Sequence, residues 1–439
     1  MPHVPADFLP LGEAARIETQ RALSPLALGL EDSMIRHVAA EVWALQAEGQ
    51  EVCNLTIGDF APAEFPVPAA FLDRLEQELR SGQTNYTPSD GIPELRRAVV
   101  DLYRRELGLE FAPEAVVIGG GARPVMFAVF ACFLTAGDGF AYGVPSWNTQ
   151  YYVYLMGCEH LAIRTQAASR FLPTGAQVAE VLPRARLLIL NSPLNPTGTA
   201  YRAEELQAVC EAVLAENRRR QSDGRPPVIL VYDMVYWTLT GPGQAHVHPL
   251  ALVPELSPWT VYVDAISKSL SATGLRVGWA VAPLHLKPAL KFYVGHTGGF
   301  APRAEQRAAA WYFGQPDILL QDRAVLNRGI RERLAMLVEA MSAWKAAGLP
   351  VDFIPPEGGI YLSTRFALHG RTVDGVRLAT NEDVRRLLLQ KAGVAVVPFQ
   401  GFGLDEESGW FRMSVGGVGR TSLQRGLERL QALLTSIGS

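Results

Sequence analysis

Cysteine is scarce in this sequence: Cys53, Cys132, Cys158 and Cys210 are the only four in 439 residues, and none forms a Cys-x-x-Cys pair. That excludes a zinc ribbon or a disulfide-stapled scaffold and leaves reduced core thiols as the expectation, with no metal site. Long apolar runs are missing as well. The longest, Pro124 to Leu134 ("PVMFAVFACFL"), is too short to span a bilayer and reads as a buried helix. The opening "MPHVPADFLP" lacks a basic segment followed by an apolar one, so no secretory signal is expected. Positive charge is not in excess either. A formal net charge of −4 removes the electrostatic footprint of a nucleic-acid binder or of a protein drawn to anionic membranes. No repeat or low-complexity segment stands out. A soluble cytoplasmic enzyme is the expectation that remains.

What is present is an ordinary globular balance, 48% apolar and 19% charged, in a chain long enough for two or three domains. The spacing of apolar residues in "SMIRHVAAEVWALQAEG" (33–49) predicts an N-terminal helix stopped by glycine. From about 55 to 295, short β-branched runs alternate with helical patterns, as in an α/β layer. Strands are predicted at 115–118, 140–142, 187–190, 228–232, 261–264 and 277–282. Helices are predicted at 124–134 and 203–221, with 303–347 helical in more than one piece. The runs at 261 and 277 are joined by only about a dozen residues with turn chemistry, too few for a comfortable parallel crossover. An antiparallel pair inside an otherwise parallel sheet is therefore expected. After 350, shorter strand signals (359–363, 394–398, 410–415) and a last helix (422–434) predict a smaller α+β domain.

The stretch Asp264–Trp279, "DAISKSLSATGLRVGW", holds an ammonium and a guanidinium eight residues apart with only small or apolar groups between. A lysine is most often a solvated surface charge. Lys268, however, follows a strand-like run, and ligands gather at strand ends in open α/β sheets. Desolvated there, its amine can act as nucleophile or base. Arg276 offers a fork suited to phosphate. An aldehyde that carries a phosphate would engage both charges, which points to pyridoxal phosphate. Such a cofactor needs a carboxylate for its pyridine nitrogen. Asp233 ends the run "VILVY" and could do this, or could simply cap a turn. Tyr236 and Asn195 could donate to a phenolic oxygen, although "NSPLNPTGT", with Asn191 and Asn195, also reads as a plain loop. "VVIGGGARPVMFAVF" is a strand, a glycine turn and a helix whose first N–H groups suit a phosphate, though it has neither the Rossmann nor the Walker spacing. Trp147, after a strand and a Pro-Ser bend, is either a core residue or a ring that stacks on a flat cofactor.

These motifs, in this order, resemble the class I/II (fold type I) pyridoxal-phosphate aminotransferases over nearly the whole chain. They comprise Tyr86-x-Pro-x-x-Gly91, the glycine turn, Pro-x-Trp147, Asn195-Pro-Thr-Gly198, Asp233-x-x-Tyr236, Ser-Lys268 with Gly-x-Arg276, and "FRMS" at 411–414. The resemblance implies an α/β fold with a mostly parallel seven-stranded sheet in a large domain (55–310) and a smaller α+β domain (311–439). It implies that residues 1–54 pack on the small domain and on a dimer partner. Lys268 would form the aldimine with the cofactor and shuttle a proton, Asp233 would pair with the pyridinium, and Tyr236 and Asn195 would hold the phenolic oxygen. Trp147 would stack on the ring. Arg276, Ser267 or Ser269, and the amides near Gly121, Ala122 and Arg123 would take the phosphate. Tyr86 would reach the phosphate of the neighbouring subunit, which makes a homodimer with shared sites. Arg412 would bind the substrate α-carboxylate with help from Asn195 and the amide of Gly58. One departure stands out: many members have Ser-x-Ser-Lys, and here the first serine is Ala265, so one phosphate hydrogen bond is missing.

For the substrates, an L-amino acid and a 2-oxo acid, the aspartate/glutamate or aromatic class is favoured. Arg123 stands where some bacterial relatives direct a lysine at a distal carboxylate; alternatively it binds phosphate at the pocket rim. Arg303 is the nearest candidate for a distal-carboxylate arginine from the partner. The segments 296–306 and 20–35 are expected to shape the side-chain pocket. Rival readings are another pyridoxal-phosphate enzyme of the same fold (a carbon–sulfur lyase, a synthase acting on a sulfonium substrate, or a decarboxylase) and a cofactor-binding regulatory protein.

Overall fold

The computed structural model describes residues 21–30, 32–241 and 244–438. The opening decapeptide and the rest of 1–20 lie outside these, as does that part of the expected N-terminal packing. The centre is a seven-stranded sheet: β1 (Val116–Gly119), β2 (Gly139–Val144), β3 (Glu159–Arg164), β4 (Ala185–Asn191), β5 (Ile229–Asp233), β6 (Thr260–Ala265) and β7 (Gly278–Val281). The spatial order is β1-β7-β6-β5-β4-β2-β3. All pairings are parallel except those of β7, which runs antiparallel to both β6 and β1. The short connection after Lys268 therefore gives the antiparallel pair that its length demands.

Strands covered on both faces can be apolar throughout, and alternate residues feed opposite cores. Leu230 and Tyr232 of β5 enter one cluster, with helices Pro93–Leu107 and Ala203–Ser222. Ile229 and Val231 enter the other, with helix Ala122–Phe133. β3 was not predicted from sequence. It is an edge strand, with only Leu161 and Ile163 buried, so its apolar signal is two residues long.

A second, four-stranded antiparallel sheet comprises β8 (Val351–Ile354), β9 (Tyr361–Phe366), β10 (Val397–Pro398) and β11 (Trp410–Ser414), in the order β10-β11-β9-β8. The expected single strand at 394–398 is two pairings. Val394–Ala395 pairs in parallel with Cys53–Asn54, while Val397–Pro398 pairs with β11. Its own core takes in Leu337 and Met341 of helix Pro316–Ala346 and Leu430 of helix Arg420–Gly438. The long helix bridges the two cores, since its first turn gives Leu319 to the large-sheet cluster. The N-terminal helix spans Met34–Ala47, with Ser33 capping its first turn through the Arg36 N–H. All four cysteines are free. No described helix is long and apolar enough to cross a membrane.

Candidate active site

The C-terminal ends of β1, β2, β4, β5 and β6 open into one cavity of about 700 Å³. β7 starts where its neighbours β6 and β1 end, because it runs antiparallel to both. The hairpin from β6 therefore returns Arg276 to the same rim as Lys268, and both line the cavity. Five cationic side chains (Arg36, Arg123, Lys268, Arg276, Arg412) face it, against two carboxylates, Asp59 and Asp233. That imbalance suits an anionic ligand.

Lys268 lies in a single turn of helix (Ile266–Ser269), and its Nζ donates to the Gly58 carbonyl at 2.5 Å. Burial, opposed by Asp59 and reinforced by the nearby arginines Arg412, Arg123 and Arg276, lowers its pKa to about 8. An amine so placed is partly neutral near physiological pH and can attack a carbonyl. Arg276 takes left-handed backbone (φ 55°) and donates to the carbonyls of Thr273 and, at 3.1 Å, Gly120. Gly121, with φ 98°, lies against this guanidinium, and a Cβ there would run into it. Glycine thus lets the N-terminus of helix Ala122–Phe133 and the arginine share one concavity. Ser267 lines that cavity; Ser269 does not, and faces back to the Ala265 carbonyl. Ala265 is fully buried at the end of β6, with no polar side chain to offer.

Asp233, at the tip of β5, accepts from the Val235 N–H at 3.1 Å, and burial raises its pKa to about 7. A buried carboxylate so thinly served is stabilised by a cationic partner. The neighbouring loop is pinned by Asn191, whose amide donates to the Asp233 carbonyl and whose Oδ1 receives the Asn195 N–H. The Asn195 side chain accepts from Arg412 Nη1 at 3.1 Å, and Arg412 Nη2 donates to the Thr56 carbonyl. Arg412 lies in β11, buried along its whole length, so it does not face solvent. It is sandwiched between the rings of Tyr361 (4.8 Å) and Phe402 (4.7 Å), and its Nε has no partner among the described residues. The Tyr236 hydroxyl meets that of Tyr361 at 2.6 Å. Gly58 passes close to Tyr361, whose hydroxyl would lie 2.7 Å from a Cβ there.

Arg123 lies over the Trp147 ring at 4.2 Å, a cation–π contact that occupies one face of the indole. Burial lowers the Arg123 pKa. Tyr86 is 89% exposed and outside the cavity wall, against Phe300. Arg303 is likewise outside, donating to the Gln83 side chain and the Tyr86 carbonyl. Of the two segments expected to shape the pocket, 20–35 contributes Ile35, followed by Arg36 just beyond it, and 296–306 contributes no lining residue. Tyr361, Phe402, Thr56 and the Asp59–Thr273 hydrogen bond (2.7 Å) were not singled out from sequence. Asp59 adjoins Gly58 in "LTIGDF" and was legible there; Tyr361 and Phe402 have no local signal.

Comparison with known proteins agrees with this geometry. The pattern of the family "Aminotransferase class I and II" matches residues 50–430. The aspartate aminotransferase of Geobacillus stearothermophilus is 31% identical, over 82% of this chain and 86% of that protein. A probable aspartate/prephenate aminotransferase of Rhizobium leguminosarum bv. phaseoli is 30% identical, over 90% and 94%. The crystal structure of the aspartate aminotransferase from Rhizobium meliloti superposes with a TM-score of 0.85 at 28% identity, covering 94% of this chain and 98% of that one. A chain that carries this sheet, this rim and this match over most of its length belongs to the class I and II aminotransferases.

Proposed function

We propose that this aminotransferase works with pyridoxal phosphate and moves an amino group from an L-amino acid of the dicarboxylic or aromatic class to a 2-oxo acid. The observation that carries the reading is the shared rim: Lys268, Arg276 and Asp233 open on one cavity whose wall also holds Arg412 with an unpartnered, buried Nε. The residues present fit the cofactor. Arg276, Ser267 and the amides from Gly121 to Arg123 would hold its phosphate; Asp233 would face its ring nitrogen, with Tyr236 and Asn195 at its phenolic oxygen and Trp147 on its ring. When bound, it supplies a carbonyl for amines and a ring that withdraws electrons from the attached carbon.

The protein's share follows from its own groups. Arg412 takes the α-carboxylate with its unpartnered Nε and the remaining N–H groups of the fork, oriented by Asn195. Lys268, lowered to about 8, takes the proton from the substrate Cα and carries it for delivery at a different carbon, since return to Cα would only reverse the step. A cation facing Asp233 favours its ionised form against the burial that raises its pKa to about 7, and the carboxylate would in turn keep a ring nitrogen protonated. The aromatic walls, among them Tyr142, Tyr152, Phe171 and Tyr201, accept a large side chain, and Arg123 offers a charge to an acidic one.

We also propose a homodimer in which Tyr86 completes the partner's site, supported by its exposure and by exposed Leu26, Leu28, Met34 and Trp43 in and just before helix Met34–Ala47. The domains are proposed at 55–310 and 311–439, with residues before 55 as an N-terminal segment, and the location as cytoplasmic. A panel of amino donors, with the 2-oxo acid product measured for each, tests the reading. Production of 2-oxo acid from aspartate, glutamate, phenylalanine or tyrosine, matched by amination of an added 2-oxo acid, is expected; sulfide with free ammonia, carbon dioxide or a cyclised product, with no amino acid formed from the acceptor, would overturn it.

A further inference from the structure

Two consecutive residues with side chains, Arg170 and Phe171, hold left-handed backbone (φ 54° and 59°) after a short turn, Ala167–Ser169. Such conformations are rare for non-glycine residues and rarest for bulky ones, so the surroundings must impose them. Here they do. Arg170 donates from Nε to Glu357 at 3.1 Å, from Nη1 and Nη2 to Glu205 at 2.8 and 2.7 Å, and from Nη2 to the Ala200 carbonyl at 3.2 Å. Its own carbonyl accepts from the Thr199 hydroxyl at 2.9 Å. Glu357 also accepts from the Ala200 N–H at 3.0 Å and faces Arg202.

These partners come from different parts of the molecule. Glu205 opens helix Ala203–Ser222, packed on the large sheet. Ala200 and Thr199 end the loop that carries Asn195. Glu357 lies in the turn just before β9, whose first residue, Tyr361, stacks on Arg412. The neighbouring Phe171 points the other way. Its ring meets Phe399 (5.0 Å) and Trp410 (5.4 Å) edge-on, in a cluster that includes Phe402, the second ring against Arg412. Phe171, Leu172 and Pro173 then form part of the cavity wall.

We propose that Arg170 is a positioning residue. Its fork locks the Asn195 loop, the turn before Tyr361 and the Phe171 wall into one register, so that the Arg412 guanidinium has a single orientation toward a carboxylate. This rests on the reading of Arg412 as the α-carboxylate site. The alternative is an ion-pair cluster that merely stabilises the fold. Arg170→Gly separates the two, because glycine accepts the left-handed backbone without strain while removing the fork. Arg170→Lys keeps the charge but not the bidentate geometry.

The experiment uses protein loaded with pyridoxal phosphate, measuring KM and kcat for the amino donor, the Kd of the unreactive monocarboxylate 3-phenylpropanoate by calorimetry, and the thermal midpoint. With Arg170→Gly, KM and Kd are expected to rise about tenfold, as when the partner that orients a binding group is lost. kcat should stay within about threefold, the midpoint should change little, and Arg170→Lys should fall between. Unchanged KM and Kd in Arg170→Gly, with or without a lower midpoint, overturns the proposal. Arg412→Ala keeps the two readings apart. If it loses 3-phenylpropanoate while Arg170→Gly does not, Arg412 keeps its assignment and Arg170 loses its own. If the unaltered protein binds no carboxylate, the Arg412 reading falls and the proposal with it.

Discussion

Asp233 and Asp264 lie on adjacent strands, one residue out of step, and burial raises the pKa of each to about 7. They nevertheless serve different sides of the sheet. Asp264 points into the helical layer and is saturated: it accepts from the Tyr103 hydroxyl (3.0 Å), the Trp237 indole (2.8 Å) and the Ala265 N–H (2.7 Å). Tyr103 in turn accepts from the Trp279 indole at 2.8 Å. Asp233 points into the cavity with a single backbone donor. A displaced pKa alone therefore does not mark a functional group. Spare hydrogen-bonding capacity facing a cavity does, and Lys268 and Arg412 share that property.

The largest expected effect lies on the cavity side. Lys268→Ala should lower the transamination rate by at least about 10⁴-fold, in the range seen when a reacting side chain is removed, with the thermal midpoint unchanged or higher. Asp233→Asn should cost roughly 10²–10³-fold in kcat, as for the loss of one preorganised electrostatic partner, again without loss of stability. A destabilised Asp233→Asn that keeps full activity would reverse the contrast.

On the core side the expectation is opposite. Asp264→Asn puts amide N–H groups against indole and phenol donors and should destabilise the apoprotein by about 1–3 kcal/mol, with activity within a few-fold of the original. The pH dependence sharpens this. A carboxyl whose folded pKa lies above its unfolded value contributes stability below the unfolded value of 3.8 and loses it as pH rises through about 7. The stability gap between the unaltered protein and Asp264→Asn should thus narrow from pH 5 to pH 8, by at most roughly 3 kcal/mol, the part of the shift that falls inside this window. Denaturant titrations at several pH values measure it; a gap that widens with pH contradicts the assignment.

The same contrast explains what could be read from sequence. Lys268 and Arg276 were legible because one short hairpin holds both, and its length dictates the antiparallel return that puts them on one rim. Asn191 and Asp233 were legible as polar residues that end apolar runs. The packing around Asp264 was not, since its tyrosine partner is 161 residues away and nothing local announces the pairing. Tyr361, Phe402 and Arg170 are equally silent, because each acts through contacts between the two sheets. The edge strand β3 escaped for a different reason: with only Leu161 and Ile163 buried between exposed ends, it carries too little apolar pattern. The roles of Tyr86 and Arg303 depend on a neighbouring chain and belong to neither reading.

Reductive trapping tests the central claim most directly. The apoprotein is mixed with pyridoxal phosphate over a range of pH, reduced with borohydride, digested and mapped by mass spectrometry. A pyridoxyl group is expected on Lys268, with labelling of the apo amine rising around pH 8 rather than near the 10.5 of an ordinary lysine. A modification spread over other lysines, with Lys268 untouched, would contradict it.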